Sequence, residues 1–249
     1  NIKSLNFFKS VNPKVITNKE NNTRSIDIAV EEKSTGEIYA SAGVGTSGSS
    51  FGFGVKENNF LGNGIALETN FLLSTESFKG IFSITNPNYN NSDKSLFFSA
   101  EATENDNYKT FGYKTKKTGM SIGTNFEYLN DLYLGINNSN FYEVIETNST
   151  ASAQQQAQEG NYWDSFMKFN VNYDKRNQKF QTSSGFKSFY SLDLPILSDT
   201  NTIKNFYNYS HYFNFFEKNF SSISIYLQSA NSLNNKDIKL SERINIPSS

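Results

Sequence analysis

From Gly36 to the end of the chain, apolar and polar side chains alternate with a period of two, over and over. Phe51, Phe53 and Val55 share one face of a segment whose other face carries Gly52, Gly54 and Lys56. Ile65, Leu67, Thr69, Phe71 and Leu73 oppose Ala66, Glu68, Asn70 and Leu72. Met120, Ile122, Thr124 and Phe126 oppose Ser121, Gly123 and Asn125, and Met167, Phe169, Val171 and Tyr173 oppose Lys168, Asn170 and Asn172. Tyr207, Tyr209, His211, Phe213 and Phe215, and then Ile223, Ile225 and Leu227, continue the pattern. Successive side chains of a strand point to opposite faces, so each segment reads as a strand with one greasy and one polar face. About eleven such strands follow Gly36.

Two architectures satisfy this pattern. A soluble sandwich buries its apolar faces against each other; a membrane barrel turns them to lipid. Hydrophobic residues make up 36% of the chain and aromatics 15%, with Phe 23 and Tyr 14. Aliphatics are too few for a large dry core, whereas a barrel needs one apolar face per strand and carries aromatic girdles. The mean hydropathy of −0.57 suits such a barrel, and no stretch approaches the roughly 18 apolar residues of a membrane helix. Tyr128, Tyr142, Tyr162 and Tyr173 fall near strand ends. The connection at Asn130-Asp131 is tight and that over 146–162 long, so short turns at one end and long loops at the other are expected. The expected fold is mostly β: a transmembrane antiparallel β-barrel over 36–249. No closing strand is evident before Ile246-Pro247-Ser248-Ser249. Open edges leave backbone groups unsatisfied in lipid, so the barrel is expected to be incomplete here.

Residues 1–35 differ. Ile2, Leu5 and Phe8 fit one face of a helix end, and Val11 to Val15 fits a short strand with Pro13 at an edge. Asn18 to Asn22 is a polar turn, and Ile26, Ile28 and Val30 alternate as in a half-buried strand. This part is expected to be an α+β fragment, the tail of a separate domain.

Little points to chemistry. The net charge is −1, with no basic footprint for nucleic acid. There is no cysteine, which excludes disulfides and thiolate sites. Gly43-Val44-Gly45-Thr46-Ser47-Gly48 matches G-x-G-x-x-G, but a dinucleotide site needs a helix next, and Phe51 to Val55 alternates like a strand. His211, the only histidine, has no partner for metal or proton chemistry and fits a structural or interfacial place. Asp193 and Asp199 read as strand-end and loop residues. Ala151 to Gln158 contains helix formers but is expected to be a flexible surface loop. With no catalytic constellation, neither an enzyme nor a cofactor is expected.

One resemblance runs nearly the whole length. Ser34-Thr35-Gly36-Glu37, Gly43-Val44-Gly45-Thr46 and Gly54-Val55-Lys56-Glu57-Asn58-Asn59-Phe60-Leu61-Gly62-Asn63-Gly64 are similar to the entry into the barrel of the BamA family. Ser4-Leu5-Asn6-Phe7-Phe8 and Ile26 to Glu32 resemble the end of that family's last POTRA domain, which would make 1–35 its C-terminal part. Asn86 and Pro87 look like the family's Asn-Pro at the end of the fourth strand. Asp174 and Arg176, with Thr182 and Gly185, resemble its Asp-Arg-x-x-x-Pro-Thr-x-Gly turn, although Gln181 stands where the family has proline.

The resemblance implies an assembly factor that folds and inserts other β-barrel proteins into the outer membrane of a Gram-negative bacterium, with its N-terminal segment in the periplasm. It also implies unfolded barrel clients, accessory lipoproteins and the bilayer as partners. The edge that would pair with a client is the first barrel strand: Ile38, Ala40, Ala42 and Val44 on one face, Tyr39, Ser41, Gly43 and Gly45 on the other. Its small residues suit loose, exchangeable pairing. A POTRA-containing transport or two-partner secretion pore is the alternative.

Overall fold

A computed structural model describes residues 7–18, 23–45, 48–178, 182–199, 201–216 and 219–244. Thirteen strands account for most of them. The first two, β1 (Phe8–Asn18) and β2 (Thr23–Glu32), form an antiparallel hairpin by themselves. The other eleven form one antiparallel sheet in which every strand pairs with its neighbours in sequence. They are β3 (Gly36–Gly45), β4 (Gly48–Phe60), β5 (Ile65–Ser74), β6 (Ser77–Asn86), β7 (Lys94–Asn107) and β8 (Tyr113–Leu129). Next come β9 (Leu132–Thr147), β10 (Gly160–Asp174), β11 (Gly185–Ser198), β12 (Thr202–Phe213) and β13 (Ser221–Ser232). Beyond ladder neighbours the strands hardly touch, so this is an open meander and not two facing sheets. That matches the eleven strands expected and removes the sandwich.

The period-two pattern lands as read. Phe51, Phe53 and Val55 face outward and are exposed, as are Phe71, Leu73, Met120, Ile122, Phe169, Val171, Ile223, Ile225 and Leu227. The opposite, inner face holds the buried Thr115, Ser139, Glu143, Asp164, Ser191 and Ser210. This inversion is what lipid as the outside solvent demands. Among the described residues no helix is long and apolar enough to cross a membrane.

Four expectations need correcting. Phe8 starts a strand and not a helix end, while Ile2 and Leu5 lie outside the described residues. Among the described residues of 7–35 there is no helix, so an α+β fragment is not evident; what stands there is a hairpin. Ile26, Ile28 and Val30 are exposed and not half-buried, because among the described residues nothing lies against the face they share with Val15, Pro13 and Val11. Second, loop lengths do not segregate by end. The hairpin end has the tight 130–131 turn but also the long 175–184 connection, and the far end has the short 75–76 turn beside the long 148–159 loop. Third, Tyr162 faces inward, and its neighbour Trp163 takes the outward place. Fourth, residues 151–158 are built into the fold. Ser152 and Gln155 make a reciprocal capping box on helix α2 (Ala153–Gln156), and Ala151 and Gln158 are buried.

Both outer edges, of β3 and of β13, lack a ladder partner among the described residues. Unpaired edges in lipid cost several kcal/mol per group. This 249-residue chain, reconstituted alone into liposomes, should therefore give no discrete single-channel conductance; a stable unitary conductance would contradict the open sheet.

Candidate functional site: a free strand edge and an occupied inner face

Strand β3 pairs along its whole length with β4 and, among the described residues, has no ladder partner on its other side. The shared ladder fits large against small on both faces. Outside, Ala40 and Ala42 lie opposite Phe53 and Phe51. Inside, Tyr39 lies across Gly54 and Ser41 across Gly52; a Cβ on Gly54 would sit 2.1 Å from the Tyr39 ring, and one on Gly52 2.5 Å from the Ser41 hydroxyl. The Tyr39 hydroxyl reaches Glu68 on β5 at 3.5 Å. At the other edge the strand is bare: Ile38 is 76% exposed and Val44 89%. Gly36, Ile38, Tyr39, Ala40, Ser41, Ala42, Gly43, Val44 and Gly45 thus form one continuous strand, as the sequence implied; Thr46 lies outside the described residues.

The family-motif residues hold the hairpin end together. Glu57 accepts hydrogen bonds from the Thr35 hydroxyl and, at 2.7 Å, from Asn59 N–H, while Asn59 Oδ1 accepts from Gly64 N–H at 2.7 Å. The Lys56-Glu57-Asn58-Asn59 stretch therefore closes the β4–β5 turn and ties it to the entry of β3. Asn86 Oδ1 accepts from Asn88 N–H at 3.1 Å, an Asx turn around Pro87. Asp174 and Arg176 form a two-pronged pair, with Nε–Oδ1 and Nη2–Oδ2 both at 2.7 Å. Gly185 closes that turn with φ +98, and a Cβ there would lie 2.1 Å from the Lys175 carbonyl oxygen. The structure brings these three together; Asn86 and Pro87 stand at a separate turn.

The inner face carries a feature that the sequence reading missed. After β13, residues 233–244 cross this face. Lys239 is buried there, its Nζ bonded to Asp164 on β10 and 3.2 Å from Glu143 on β9; all three side chains are 1% exposed or less. Its ammonium lies 4.9 Å over the Tyr162 ring. Burial pushes the Lys239 ammonium down, but the charges of Glu143, Asp164 and Glu242 outweigh it and hold its pKa above the ordinary lysine value. Buried Glu242 lies 3.8 Å from Lys204 on β12. Leu240 N–H donates to Gln158 Oε1 at 3.0 Å, and Gln154 donates to Asp237 at 2.8 Å, so the 148–159 loop holds the same segment. These partners lie 75 to 96 positions apart, which alternation does not reveal. Asp193 likewise sits within β11 and pairs with Lys168 at 3.3 Å, not at a strand end. His211 faces outward, stacked between Tyr209 and Phe213. No metal-holding group of His, Cys, Asp and Glu occurs among the described residues.

A meander of long antiparallel strands, apolar outside and polar inside with an ion-paired inner segment, defines a protein of the outer-membrane β-barrel class. Residues 59–248 match the Omp85 superfamily domain. The chain belongs to the Omp85 superfamily, and this places its sheet in a bacterial outer membrane. Among solved structures it is similar to BamA from Haemophilus ducreyi lacking POTRA domains 1–3, with TM-score 0.81 and 21% identity over 95% of this chain and 49% of that one. It is also similar to CdiB from Acinetobacter baumannii, with TM-score 0.51 and 9% identity over 93% of this chain and 46% of that one. CdiB from Escherichia coli gives TM-score 0.56 and 8% identity over 91% and 46%. The chain spans about half the length of these proteins. Comparison with curated protein sequences gives no match. The resemblance to the BamA family thus meets a fold of the same kind.

Proposed function

We propose that the protein folds and inserts other β-barrel proteins into the outer membrane, and that the free edge of β3 is the template. The observation that carries this is β3 itself, a strand rich in small residues that is seated on β4 through Tyr39 over Gly54 and Ser41 over Gly52, in a sheet that sits in lipid. A client strand crossing the bilayer needs partners for its backbone groups, and a bare edge supplies them by β-augmentation. Tyr39 and Ser41, seated on Gly54 and Gly52, keep β3 on β4 while its other edge is in use. The action is that of backbone groups, with no covalent chemistry and no cofactor.

In this reading residues 1–35 are the end of a POTRA domain on the periplasmic side, and the apolar hairpin stripe Val11–Val30, Pro13–Ile28 and Val15–Ile26 belongs to that domain's interior. Unfolded barrel proteins are the clients, and accessory lipoproteins join on the periplasmic side. A POTRA-containing transport pore is the second reading, on the strength of the shared fold with CdiB. It differs in requiring an unobstructed passage, and residues 233–244 lie across the inner face.

Consecutive residues of a strand aim their N–H groups to opposite sides. Of Ser41 and Ala42, one therefore donates to β4 and the other to the free edge. Proline removes that donor. Ser41→Pro and Ala42→Pro should part company: one destabilises the β3–β4 ladder, while the other leaves the protein folded and abundant but slows client assembly several-fold. Heat-modifiable migration reports folding and the rate of appearance of folded clients reports function. Normal client assembly in the folded proline variant would overturn the proposal.

A further inference from the structure

The glycines of Gly43-Val44-Gly45-Thr46-Ser47-Gly48 precede a strand and not a helix, and they fall at the tip of the β3–β4 hairpin, where Gly45 pairs with Gly48. The two ends of β3 differ in what holds them. At the hairpin end the hold comes from side chains. The β4–β5 ladder breaks register between Glu57 and Phe60, and a bulge of this kind re-aims the side chains beside it. Here Glu57 on β4 accepts a hydrogen bond from the Thr35 hydroxyl, at the root of β3. Asn58 Nδ2 donates to the Thr35 carbonyl oxygen at 3.3 Å, and Asn59 N–H donates to Glu57 at 2.7 Å and holds the carboxylate in place. The Gly36 backbone passes close to the same carboxylate, where a Cβ would come to 3.2 Å. Three residues on, the Tyr39 ring lies on Gly54 and its hydroxyl reaches Glu68 at 3.5 Å.

Past Ser41 the character of β3 changes. Ala42, Gly43, Val44 and Gly45 have no side chain that can hydrogen-bond. Gly43, Val44 and Gly45 stand opposite Ser50, Ser49 and Gly48. Glycine within a strand has the most backbone freedom to lose and no side chain to pack, so the last pairs of this ladder are carried by the main chain. At the same level β4 is better held. Its Ser50 and Phe51 pair with Ser74 and Leu73 on β5, and Gly48 lies against the Thr75 hydroxyl. The β5–β6 turn is in turn tied to β7, where Asp106 N–H donates to the Glu76 carbonyl oxygen at 2.7 Å.

We infer that β3 is a one-ended strand: Glu57 pins its root to β4 at Thr35, and its tip lifts from β4 beginning at Gly45 and proceeding towards Gly43. Glu57 is a positioning residue. It sits on the neighbouring strand and acts through the root of β3. The arrangement reconciles two demands on an exchangeable edge. The edge must move, yet a slip of one residue would turn every side chain to the wrong face; a fixed root keeps the register while the tip moves. In client pairing, which rests on the templating reading, β3 then exchanges partners from its Gly45 end.

The test is the width of distances between nitroxide pairs, measured by pulsed dipolar spectroscopy on the full-length protein in lipid nanodiscs without any client. One nitroxide replaces Ile122 on β8, and the other replaces Ile38, Val44 or Phe51, all on the outward face. The Val44 distribution should be about twice as wide as the other two, since local opening follows the loss of side-chain contacts. Narrow Phe51 distances show that β4 stays in place. Gly43→Val should narrow the Val44 distances towards those of Ile38. Glu57→Ala should widen the Ile38 distances and leave Phe51 unchanged, and so should Thr35→Val. Glu57→Gln should restore the narrow Ile38 distances, because its amide oxygen still accepts from the Thr35 hydroxyl. Heat-modifiable migration confirms that each variant is folded. Equal widths at Val44 and Ile38 in the unaltered protein would overturn the inference. So would narrow Ile38 distances in folded Glu57→Ala, or a widening there that spreads equally to Phe51. Since no client is present, this can fail while β3 still templates, and templating can fail while β3 still lifts from one end.

Discussion

Lys239→Met is expected to cost the protein ~3–5 kcal/mol, because it leaves the buried Glu143 and Asp164 carboxylates facing each other without a counter-charge. The size follows from burial. A surface ion pair is worth about 1 kcal/mol or less, but these groups are out of water, and one Glu143 oxygen already lacks a hydrogen-bond partner among the described residues. Two routes could relieve the strain: the sheet loses stability, or residues 233–244 leave the inner face and water enters. Urea unfolding in lipid reads the first, and maleimide reactivity of a cysteine at Ser241 reads the second. The neutral triple variant Glu143→Gln, Asp164→Asn, Lys239→Met should recover most of the loss, since hydrogen-bonding neutral groups tolerate burial better than an unmatched charge. Unchanged unfolding together with an unreactive cysteine in Lys239→Met would show that the cluster does not hold the segment.

Gly185→Ala is expected to be the most damaging glycine substitution at the hairpin end. At φ +98 a side chain is strained by itself, at ~1–3 kcal/mol. The added Cβ also overlaps the Lys175 carbonyl oxygen and approaches Arg176 Cα to 2.9 Å. Both are backbone atoms of the turn that carries the Asp174–Arg176 pair, so neither moves without breaking it. Gly62→Ala is the comparison. Its φ is +72, but a Cβ there meets nothing within 4 Å, and the cost should stay near ~1 kcal/mol. Urea midpoints of the two variants measured side by side check this. Equal losses would mean that the Asp174 turn yields easily and that Gly185 is there for backbone freedom alone.

The difference between these two glycines also marks what could be read from the sequence. Strand number and the outward set Phe51, Phe53 and Val55 were legible because they depend on neighbours one to a dozen positions apart; the places of Asn86-Pro87 and of Asp174 and Arg176 came from the family resemblance. Alternation sets the face. The pairing of Lys239 with Glu143 and Asp164 was not legible. A charged residue on an inner face looks the same in a strand whether it meets water or a lysine from a distant loop. Ile26, Ile28 and Val30 failed for the opposite reason: alternation promised burial, but burial needs an opposing surface, and among the described residues none lies against the hairpin.

The free edge of β3 as a template is most directly tested by crosslinking. Cysteines at Ala40, Ala42 and Val44, one outward position after another on the edge strand, are paired with cysteines along the last strand of a client during its assembly in the outer membrane. Ile122 on β8 is the control, since both neighbours of that strand are already taken by β7 and β9. Templating predicts disulfides that advance along the client two residues at a time as the position on β3 advances by two, in a single antiparallel or parallel register, and none from Ile122. Crosslinks from Ile122 as frequent as those from β3, or no crosslink from any β3 position while clients still assemble, would contradict it.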